Sequence, residues 1–490
     1  MLNSILVVGG GTAGWMTALY LSKKLNKKTK ISLVESEDIG IIGVGEGSTP
    51  YLKHFFQELD IPEKEWMAAC DATYKTGIQF DNWSTEPAFE SYFHPFFNAF
   101  DKKPADMFFY NSGLRRRGFE ADAHPEHYFT AAYMAKEKRS PVTPSKLEFD
   151  IDYAYHFDSV KLGQFMREKA KAQGVEHLIA NIVSAKVASD SSIMSVQCDQ
   201  GDVLTADFFV DCTGFASLLL QQTLKRPFDS YSQTLFNDAA VAIQTPHEAQ
   251  QSAAPQTVSK ALSAGWMWNI PLTTRWGNGY VYSSKYLDAD AAEKELKREL
   301  DIPDDSDIKV KHLKMRVGRV SEHWYKNCVG IGLSQGFIEP LEATALMLVQ
   351  FGIQNLTKVL NCEKVEVKQV VDYNNEMNRL FDGVKDYISV HYALNTRHDS
   401  EYWADCREKI KLTATVKDLI KSWDRGEDFE AELTKHHSEL VYLRPSWYCI
   451  LSGMGRFAHH LKHHPKAGPV HIAKEYCHRI TNKHFPTLEV

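Results

Sequence analysis

Three glycines near the start of the chain have the spacing of a phosphate-binding turn. Gly9, Gly11 and Gly14 form the pattern G-x-G-x-x-G directly after the apolar run Ile5-Leu6-Val7-Val8. In such a turn the first glycine permits a tight bend, the second lets backbone amides approach a pyrophosphate, and the third lets a helix pack on a strand. The pattern therefore predicts a strand, a turn and a helix whose first amides face an anion.

A glutamate at the end of the next apolar run is placed to bind a ribose. Lys30-Ile-Ser-Leu-Val34 predicts a second strand, and Glu35 ends it about 20 positions after Gly14, where a carboxylate can accept hydrogen bonds from a ribose diol. The predicted helix between the two strands begins at Ala13, directly after Thr12. FAD and NAD both bind to this fingerprint, so these residues alone leave the cofactor open between the two.

The composition indicates a globular protein without a basic surface. The 490 residues include 56 Lys and Arg against 63 Asp and Glu, a net charge of -7, so we expect no nucleic-acid partner. The eight cysteines occur singly, which favours reduced thiols in a cytoplasmic protein over a disulfide framework or a zinc site. Glycines interrupt the apolar N-terminal segment, so we predict neither a signal peptide nor a membrane span.

The elements that position these residues alternate between helices and strands. We predict helices over 13–25, over 159–173 with Asp158 as N-cap, and over 344–360, and strands over 193–197, 203–210 and 328–333. The nucleotide-binding core is therefore discontinuous in sequence. Residues 86–145 are rich in aromatic residues and proline without a long periodic element, which predicts an irregular insertion.

Four histidines near the C-terminus have a spacing that can chelate a metal. His459, His460, His463 and His464 form two i,i+4 pairs on a predicted helix. Neither a carboxylate nor a cysteine nearby completes a ligand set, so we predict a solvated basic helix end and no metal site.

Three further segments are distinctive in combination: Gly265-Trp-Met-Trp-Asn-Ile-Pro271, Tyr74-Lys-Thr-Gly-Ile-Gln-Phe-Asp-Asn-Trp83 and Gly336-Phe-Ile-Glu-Pro-Leu-Glu-Ala-Thr-Ala345. Together they resemble the flavin-dependent tryptophan halogenase family. The first matches the W-x-W-x-I-P signature of that family, the second resembles the segment of its active-site lysine, and the third resembles that of its catalytic glutamate and halide site. Gly43-Val-Gly-Glu46 and Asp211-Cys-Thr-Gly214 also resemble family landmarks, and the likeness extends from Val7 to about Gly455.

The resemblance implies an α/β fold with a Rossmann-type FAD-binding module, like that of flavin monooxygenases, and an associated, mostly helical substrate module. We expect residues 1–85, 150–230 and 310–360 in the first module and 86–149, 231–309 and 361–490 in the second, intertwined as one unit. The implied FAD-binding residues are Gly9, Gly11, Thr12, Ala13, Gly14, Glu35, Gly43, Val44, Gly45, Glu46, Asp211 and Gly332.

The activity that the resemblance implies is halogenation. Reduced FAD and O2 oxidise chloride or bromide to hypohalous acid, which a lysine directs to an electron-rich aromatic such as tryptophan or another indole. Lys75 would be that lysine, acting either as an amine that forms a haloamine or as an ammonium that hydrogen-bonds the oxidant. Glu342 would stabilise the cationic ring and remove its proton, and the amides of Thr344 and Ala345 would bind the halide.

Bulk and aromatic packing complete the implied site. Trp266, Trp268, Ile270 and Pro271 would line the tunnel that keeps the substrate away from the flavin, and four aromatic residues are candidates to hold the substrate ring: His94, Phe96, Trp447 and Tyr448. Many relatives have Ser and Gly at the positions of Ala343 and Ala345, which leaves the halide preference open.

The resemblance also implies a partner. The chain has no second dinucleotide motif, so a separate flavin reductase would supply FADH2; whether the chain forms a homodimer is left open. The alternative functions are a flavin-dependent monooxygenase or oxidoreductase of related fold, without halogenating activity, and a non-catalytic flavoprotein.

Overall fold

A computed structural model describes residues 2–37, 43, 45–144, 146–247, 253–464 and 466–488. The chain divides into two compact units, each made of three segments. Unit 1 comprises Met1–Ala72, Phe157–Ser232 and Met315–Asp382, and unit 2 comprises Thr73–His156, Gln233–Lys314 and Gly383–Val490. The predicted assignment of a cofactor module and a substrate module to interleaved segments stays a prediction.

The strands, in chain order, are β1 (Ser4–Val8), β2 (Lys30–Glu35), β3 (Glu46–Gly47), β4 (Thr73–Lys75), β5 (Gly77–Asp81), β6 (Ser91–Pro95), β7 (Ala154–Phe157), β8 (Glu176–Ile179), β9 (Ile182–Val187), β10 (Ile193–Cys198), β11 (Val203–Leu204), β12 (Phe208–Asp211), β13 (Phe228–Ser230), β14 (Ala239–Pro246), β15 (Thr257–Leu262), β16 (Gly265–Pro271), β17 (Arg275–Tyr282), β18 (Val310–Lys314), β19 (Gly318–Val320), β20 (Trp324–Tyr325), β21 (Cys328–Gly330) and β22 (Gly336–Phe337).

The α-helices are α1 (Thr12–Lys24), α2 (Tyr51–Glu58), α3 (Glu63–Ala69), α4 (Lys102–Arg115), α5 (Thr130–Lys136), α6 (Ser159–Ala172), α7 (Ala289–Glu299), α8 (Ala345–Leu360), α9 (Val367–Ala393), α10 (Glu401–Glu408), α11 (Ala414–Asp424), α12 (Phe429–Lys435), α13 (Arg444–Gly453) and α14 (Val470–His484). Short 3-10 helices include Gly214–Ala216, Gly332–Ser334 and Pro340–Glu342, and Leu218–Thr223 forms a π-helical turn.

Unit 1 is built on a sheet of six strands in the order β20-β21-β12-β1-β2-β8. The five strands from β21 to β8 run parallel, and β20 pairs antiparallel at the edge. In β1 the apolar residues from Ile5 to Val8 are buried on both faces, as a strand covered on both sides requires. The predicted α/β class is confirmed.

The local predictions hold to within a few residues where pattern and capping agree. Helix α6 begins after Asp158, whose carboxylate accepts hydrogen bonds from the amides of Val160 and Lys161 at 2.9 and 3.0 Å. The strand predicted over 203–210 is wrong as one element. It is two strands, because β11 pairs antiparallel with β10 whereas β12 pairs parallel with β1.

Unit 2 contains a sheet of seven strands in the order β18-β14-β17-β16-β15-β5-β6, together with the helices of the C-terminal part of the chain. One face of this sheet packs on α7, where Ala292 and Leu296 join a cluster with Val241, Met267 and Tyr280. The helical character predicted for this region is present, and the sheet accompanies it.

Two local predictions in unit 2 are wrong. Residues 86–145 contain β6, α4 and α5; α4 lacks a clean apolar stripe because polar Asn111 and Ser112 are buried beside Phe108 and Phe109. His459 and His460 lie in a bend, and His463 and His464 lie outside any helix, so the four histidines do not have helical i,i+4 spacing. Within the described ranges, no helix is long and apolar enough to cross a membrane.

The glycine turn of unit 1 has room for a side chain at one position and not at another. Gly9 has φ +111°, and a Cβ there would overlap the carbonyl of Cys212. A Cβ at Gly14 would overlap the carbonyl of Gly9. At Gly11, φ is -68° and a Cβ would meet no atom within 4 Å.

We expect Gly9 and Gly11 to respond differently to substitution by alanine. Gly9→Ala should lower the free energy of unfolding by at least about 2 kcal/mol, because strain and overlap add. Gly11→Ala should leave it within about 0.5 kcal/mol of the parent, since neither applies. Urea unfolding of the flavin-free proteins measures both, and equal losses would contradict the geometry.

Candidate active site

The turn after β1 and the end of β2 form the first part of the site in unit 1. Helix α1 begins at Thr12, and Trp15 N donates to Gly11 O at 3.1 Å, so the amides before Trp15 have no acceptor within the helix. Gly11 faces open space beside these amides. This is the geometry in which a helix N-terminus can receive a phosphate group.

Glu35 is fixed at the end of β2 by a residue that sequence reasoning missed. His177 on β8 is hydrogen-bonded through Nε2 to Oε1 of Glu35 at 2.7 Å, and its ring packs edge-on against Trp15. A Cβ at Gly10 would overlap the Glu35 carboxylate, so Gly10 is required as well. Gly10 was visible in the sequence as an extra glycine, whereas His177 carried no signal.

Asp211 lies at the end of β12 and turns its carboxylate into the protein. Oδ1 accepts from the amide and hydroxyl of Thr213 at 3.0 and 2.6 Å, and Oδ2 accepts from the amides of Leu219 and Leu220 at 2.9 and 2.8 Å. Burial raises the pKa of Asp211, and these donors oppose the rise. The side chain therefore organises the loop after β12 from inside.

Gly332 belongs to the same edge of the sheet. It has φ +79°, and a Cβ there would lie 2.6 Å from the Cβ of Ala13. The 3-10 helix of Gly332–Ser334 is tied to β12, because the Ser334 hydroxyl donates to the Asp211 carbonyl and Ile331 N donates to the same oxygen at 3.0 Å. The structure thus brings together Gly9 to Gly14, Asp211 and Gly332.

The predicted cofactor-binding segment from Gly43 to Glu46 is described in part. A Cβ at Gly43 would overlap Val160 at the start of α6, and Gly45 has φ +80°. Val44, also predicted to bind the cofactor, lies outside the described residues. Desolvation raises the pKa of Glu46 to about 7; the nearby Asp158 carboxylate adds to the rise, and a hydrogen bond with Ser159 opposes it.

The segment before α8 contains two buried glutamates. Glu339 is fully buried and Glu342, in the 3-10 helix of Pro340–Glu342, is 6% exposed. Ala343 then takes a left-handed conformation with φ +56°, which turns the chain into α8. Thr344 is the N-cap of α8 and Ala345 its first residue, so their amides open the helix as predicted. Sequence reasoning singled out Glu342 and missed Glu339.

Lys75 is the last residue of β4 in unit 2 and is fully buried. Its Nζ lies 5.7 Å from the centroid of the Phe96 ring, within the range of a cation–π contact. In β4 and its antiparallel partner β7, Lys75 is directly opposite Ala154, and Thr73 is opposite His156. The ring of Phe96, one of the four candidate substrate residues, therefore lies beside the candidate lysine.

The two signature tryptophans lie on one face of β16. Trp266 and Trp268 are 1% and 6% exposed, with ring centroids 6.2 Å apart. Trp268 is opposite Gly279 of β17, where a Cβ would overlap the indole ring. Ile270 is buried on the same face, and Pro271 ends the strand.

The other candidate substrate residues fall into two clusters of unit 2. His94 and Trp447 meet at Tyr387: His94 Nε2 is 3.0 Å from the Tyr387 hydroxyl, and the Trp447 ring packs edge-on at 5.2 Å. Tyr448 instead packs among Phe109, Trp423 and Phe429, and its hydroxyl donates to Glu430 at 2.8 Å. Tyr448 therefore lies in a different aromatic cluster from Trp447, its neighbour in sequence.

Known proteins resemble the chain over nearly its whole length. The family model for tryptophan halogenase matches residues 4–469. A tryptophan 6-halogenase of Streptomyces toxytricini is 35% identical over 480 residues, which cover 92% of this chain and 89% of the relative. A tryptophan 7-halogenase of Lentzea aerocolonigenes is 34% identical over 487 residues, 93% of this chain and 90% of the relative.

A solved structure gives the same result. A flavin-dependent halogenase from Xanthomonas campestris matches with a TM-score of 0.84 and 31% sequence identity, over 99% of this chain and 95% of that chain. The resemblance predicted from three short motifs is confirmed. The chain belongs to the tryptophan halogenase family and is a flavin-dependent halogenase.

Proposed function

We propose that this halogenase uses FADH2, O2 and chloride or bromide to halogenate tryptophan or another indole. The observation that carries the proposal is Lys75, a fully buried lysine on β4 beside the Phe96 ring. The substrate class follows the tryptophan halogenases to which the chain is similar. FADH2 would come from a separate reductase.

The residues of unit 1 fit a dinucleotide, because there is open space at Gly11 in front of the first amides of α1. We assign the pyrophosphate to these amides and the ribose diol to Glu35, with His177 holding one carboxylate oxygen. Asp211 acts indirectly, by fixing the loop from Cys212 to Gly214. The bound flavin would supply the reaction of O2 with halide.

A halide needs donors in a place poor in water. The amides of Thr344 and Ala345 open α8 and lie in a buried segment, so they suit an anion there. The methyl group of Ala345 narrows the space beside its own amide. This residue would therefore affect the choice between chloride and bromide.

Lys75 can act in either protonation state. As a neutral amine it exchanges an N–H proton for the halogen of hypohalous acid and releases water; as an ammonium it donates a hydrogen bond to that acid. Both routes need the amine at one fixed point. We assign Glu342 the removal of the ring proton once the halogen has bonded to carbon.

Two further groups would confine the reaction. Trp266 and Trp268 fill one face of β16 and would keep the substrate away from the flavin by bulk. Phe96 and the cluster of His94 and Trp447 are the aromatic groups that we assign to the substrate side.

Removal of the Lys75 amine should uncouple O2 consumption from halogenation. In Lys75→Met we expect halogenated product to fall by at least about 100-fold, with O2 consumption and peroxide release retained, because only the transfer step needs the amine. The assay contains a flavin reductase, NADH, FAD, bromide or chloride and a panel of indoles and phenols, read by the halogen isotope pattern in mass spectrometry.

Lys260→Met is the matched control. Lys260 is a lysine on β15 of the same unit, 35% exposed and paired with Glu299, and its loss should leave halogenation intact. Product made at the parental rate by Lys75→Met would contradict the role of Lys75. A single added oxygen in place of halogen would favour the monooxygenase alternative.

Glu46 should make the stability of the flavin-free protein depend on pH. Its folded-state pKa of about 7 lies above the ordinary value of 4.5, so its favourable contribution is complete below pH 4.5 and is lost as the pH rises through about 7. Glu46→Gln removes this dependence and should be more stable than the parent at pH 8 by up to about 3 kcal/mol.

Urea unfolding at pH 5 and pH 8 measures the Glu46 effect. Glu168→Gln is the control, since the Glu168 side chain is 63% exposed. Parallel pH profiles for the parent and Glu46→Gln would contradict the raised pKa of Glu46.

A further inference from the structure

His156 and Thr73 lie on the same face of the β4–β7 ribbon as Lys75, and they form a hydrogen-bonded chain with Thr257 of β15. His156 Nδ1 is 3.1 Å from the Thr73 hydroxyl, and His156 Nε2 is 2.9 Å from the Thr257 hydroxyl. The Thr73 hydroxyl donates to the carbonyl of Pro271 at 2.7 Å. The chain thus links β7, β4 and β15 to the end of the signature strand β16.

The direction of each hydrogen bond follows from the carbonyl at one end. A carbonyl oxygen only accepts, so the single hydroxyl proton of Thr73 goes to Pro271. Thr73 Oγ1 must then accept from His156, which places a proton on Nδ1. A neutral imidazole carries one N–H, so Nε2 is bare and accepts the hydroxyl proton of Thr257.

The ring is neutral for two reasons. His156 is fully buried, and desolvation holds its pKa well below the ordinary value of 6.5; the positive charge of Lys75 lowers it further. In this neutral state Nε2 is bare and accepts the hydroxyl proton of Thr257.

The register of the ribbon makes His156 a neighbour of Lys75. Thr73 and Lys75 share one face of β4, and their opposite residues, His156 and Ala154, share the same face of β7. Ala154 is small, so the long side chain of Lys75 has space across it, with the imidazole on the diagonal. Tyr74 and Tyr155 occupy the other face.

We propose that His156 is a positioning residue for Lys75, held by Thr257 and Thr73 as the neutral Nδ1–H tautomer. This inference rests on the catalytic role proposed for Lys75. A charged imidazole would repel the ammonium form of Lys75, and a carboxylate would pair with it; the neutral ring provides a packing surface without either effect. It also fixes β4 against Thr257 and the Pro271 carbonyl, and so fixes where the amine lies.

The tautomer can be tested without activity. In protein labelled with 15N at the histidine rings, the two nitrogens of His156 should show a protonated Nδ1 and a bare Nε2, unchanged between about pH 5 and pH 8. The signals are assigned by their loss in His156→Asn. A protonated Nε2, or a charged ring in this pH interval, would overturn the inference.

The positioning role is tested by pairs of conservative variants. Thr257→Val removes the proton that Nε2 accepts, and should lower halogenated product per O2 consumed by roughly 3- to 10-fold, as expected for one lost hydrogen bond. Thr257→Ser restores the hydroxyl and should stay within about twofold of the parent. A role in packing alone would not distinguish Val from Ser in this way.

Thr76→Val is the matched control. Thr76 is 1% exposed and adjacent to Lys75, but its hydroxyl lies 3.0 Å from the Pro255 carbonyl and 3.3 Å from the Ala131 carbonyl and takes no part in the His156 chain. Its product per O2 should equal that of the parent. Equal losses in Thr76→Val and Thr257→Val, or equal values for Thr257→Val and Thr257→Ser, would overturn the positioning role.

The two proposals fail in different ways. If Lys75→Met still halogenates, the proposed function of Lys75 is wrong and this inference falls with it. If Lys75→Met is inactive while Thr257→Val matches Thr257→Ser, only the positioning role of His156 is wrong.

Discussion

The close contact between the turn after β1 and the loop after β12 is the constraint on which the nucleotide site proposed for unit 1 depends. Gly9 N donates to Val34 O and Cys212 N donates to Val8 O, both at 2.8 Å, so the parallel ladder continues past the ends of the strands. There is no space for a side chain between Gly9 and the Cys212 carbonyl. The turn, the start of α1 and the loop after β12 are therefore packed together, and each depends on the position of the others.

Asp211 shows how such a loop is held. A buried carboxylate is costly unless donors surround it, and Asp211 accepts from Thr213, Leu219 and Leu220 within its own loop. Its neighbour Ser217 has a left-handed backbone with φ +42°, which the loop must tolerate. Asp211, which resembles a cofactor ligand in sequence, thus holds the backbone around it through its carboxylate.

The sequence predicted what depends on neighbouring residues and missed what depends on distant ones. The strand, turn and helix from Ser4 to Lys24, and the helix that follows Asp158, are visible because period and capping are local. His177 meets Glu35 across 142 positions and Thr257 meets His156 across 101, and no local pattern marks such pairs. Helix α4 was hidden because buried polar residues interrupt its apolar pattern.

The role proposed for Lys75 requires more of its neighbours than hydrophobic packing. A strand residue that both donates to Pro271 and accepts from His156 must carry a hydroxyl, and Thr combines that group with the branched Cβ favoured in strands. Removing one partner from such a chain leaves a buried polar atom unsatisfied, which costs more than the lost bond itself. The order of the chain then matters as much as its members: because the Pro271 carbonyl can only accept, it alone fixes the tautomer of a ring two hydrogen bonds away.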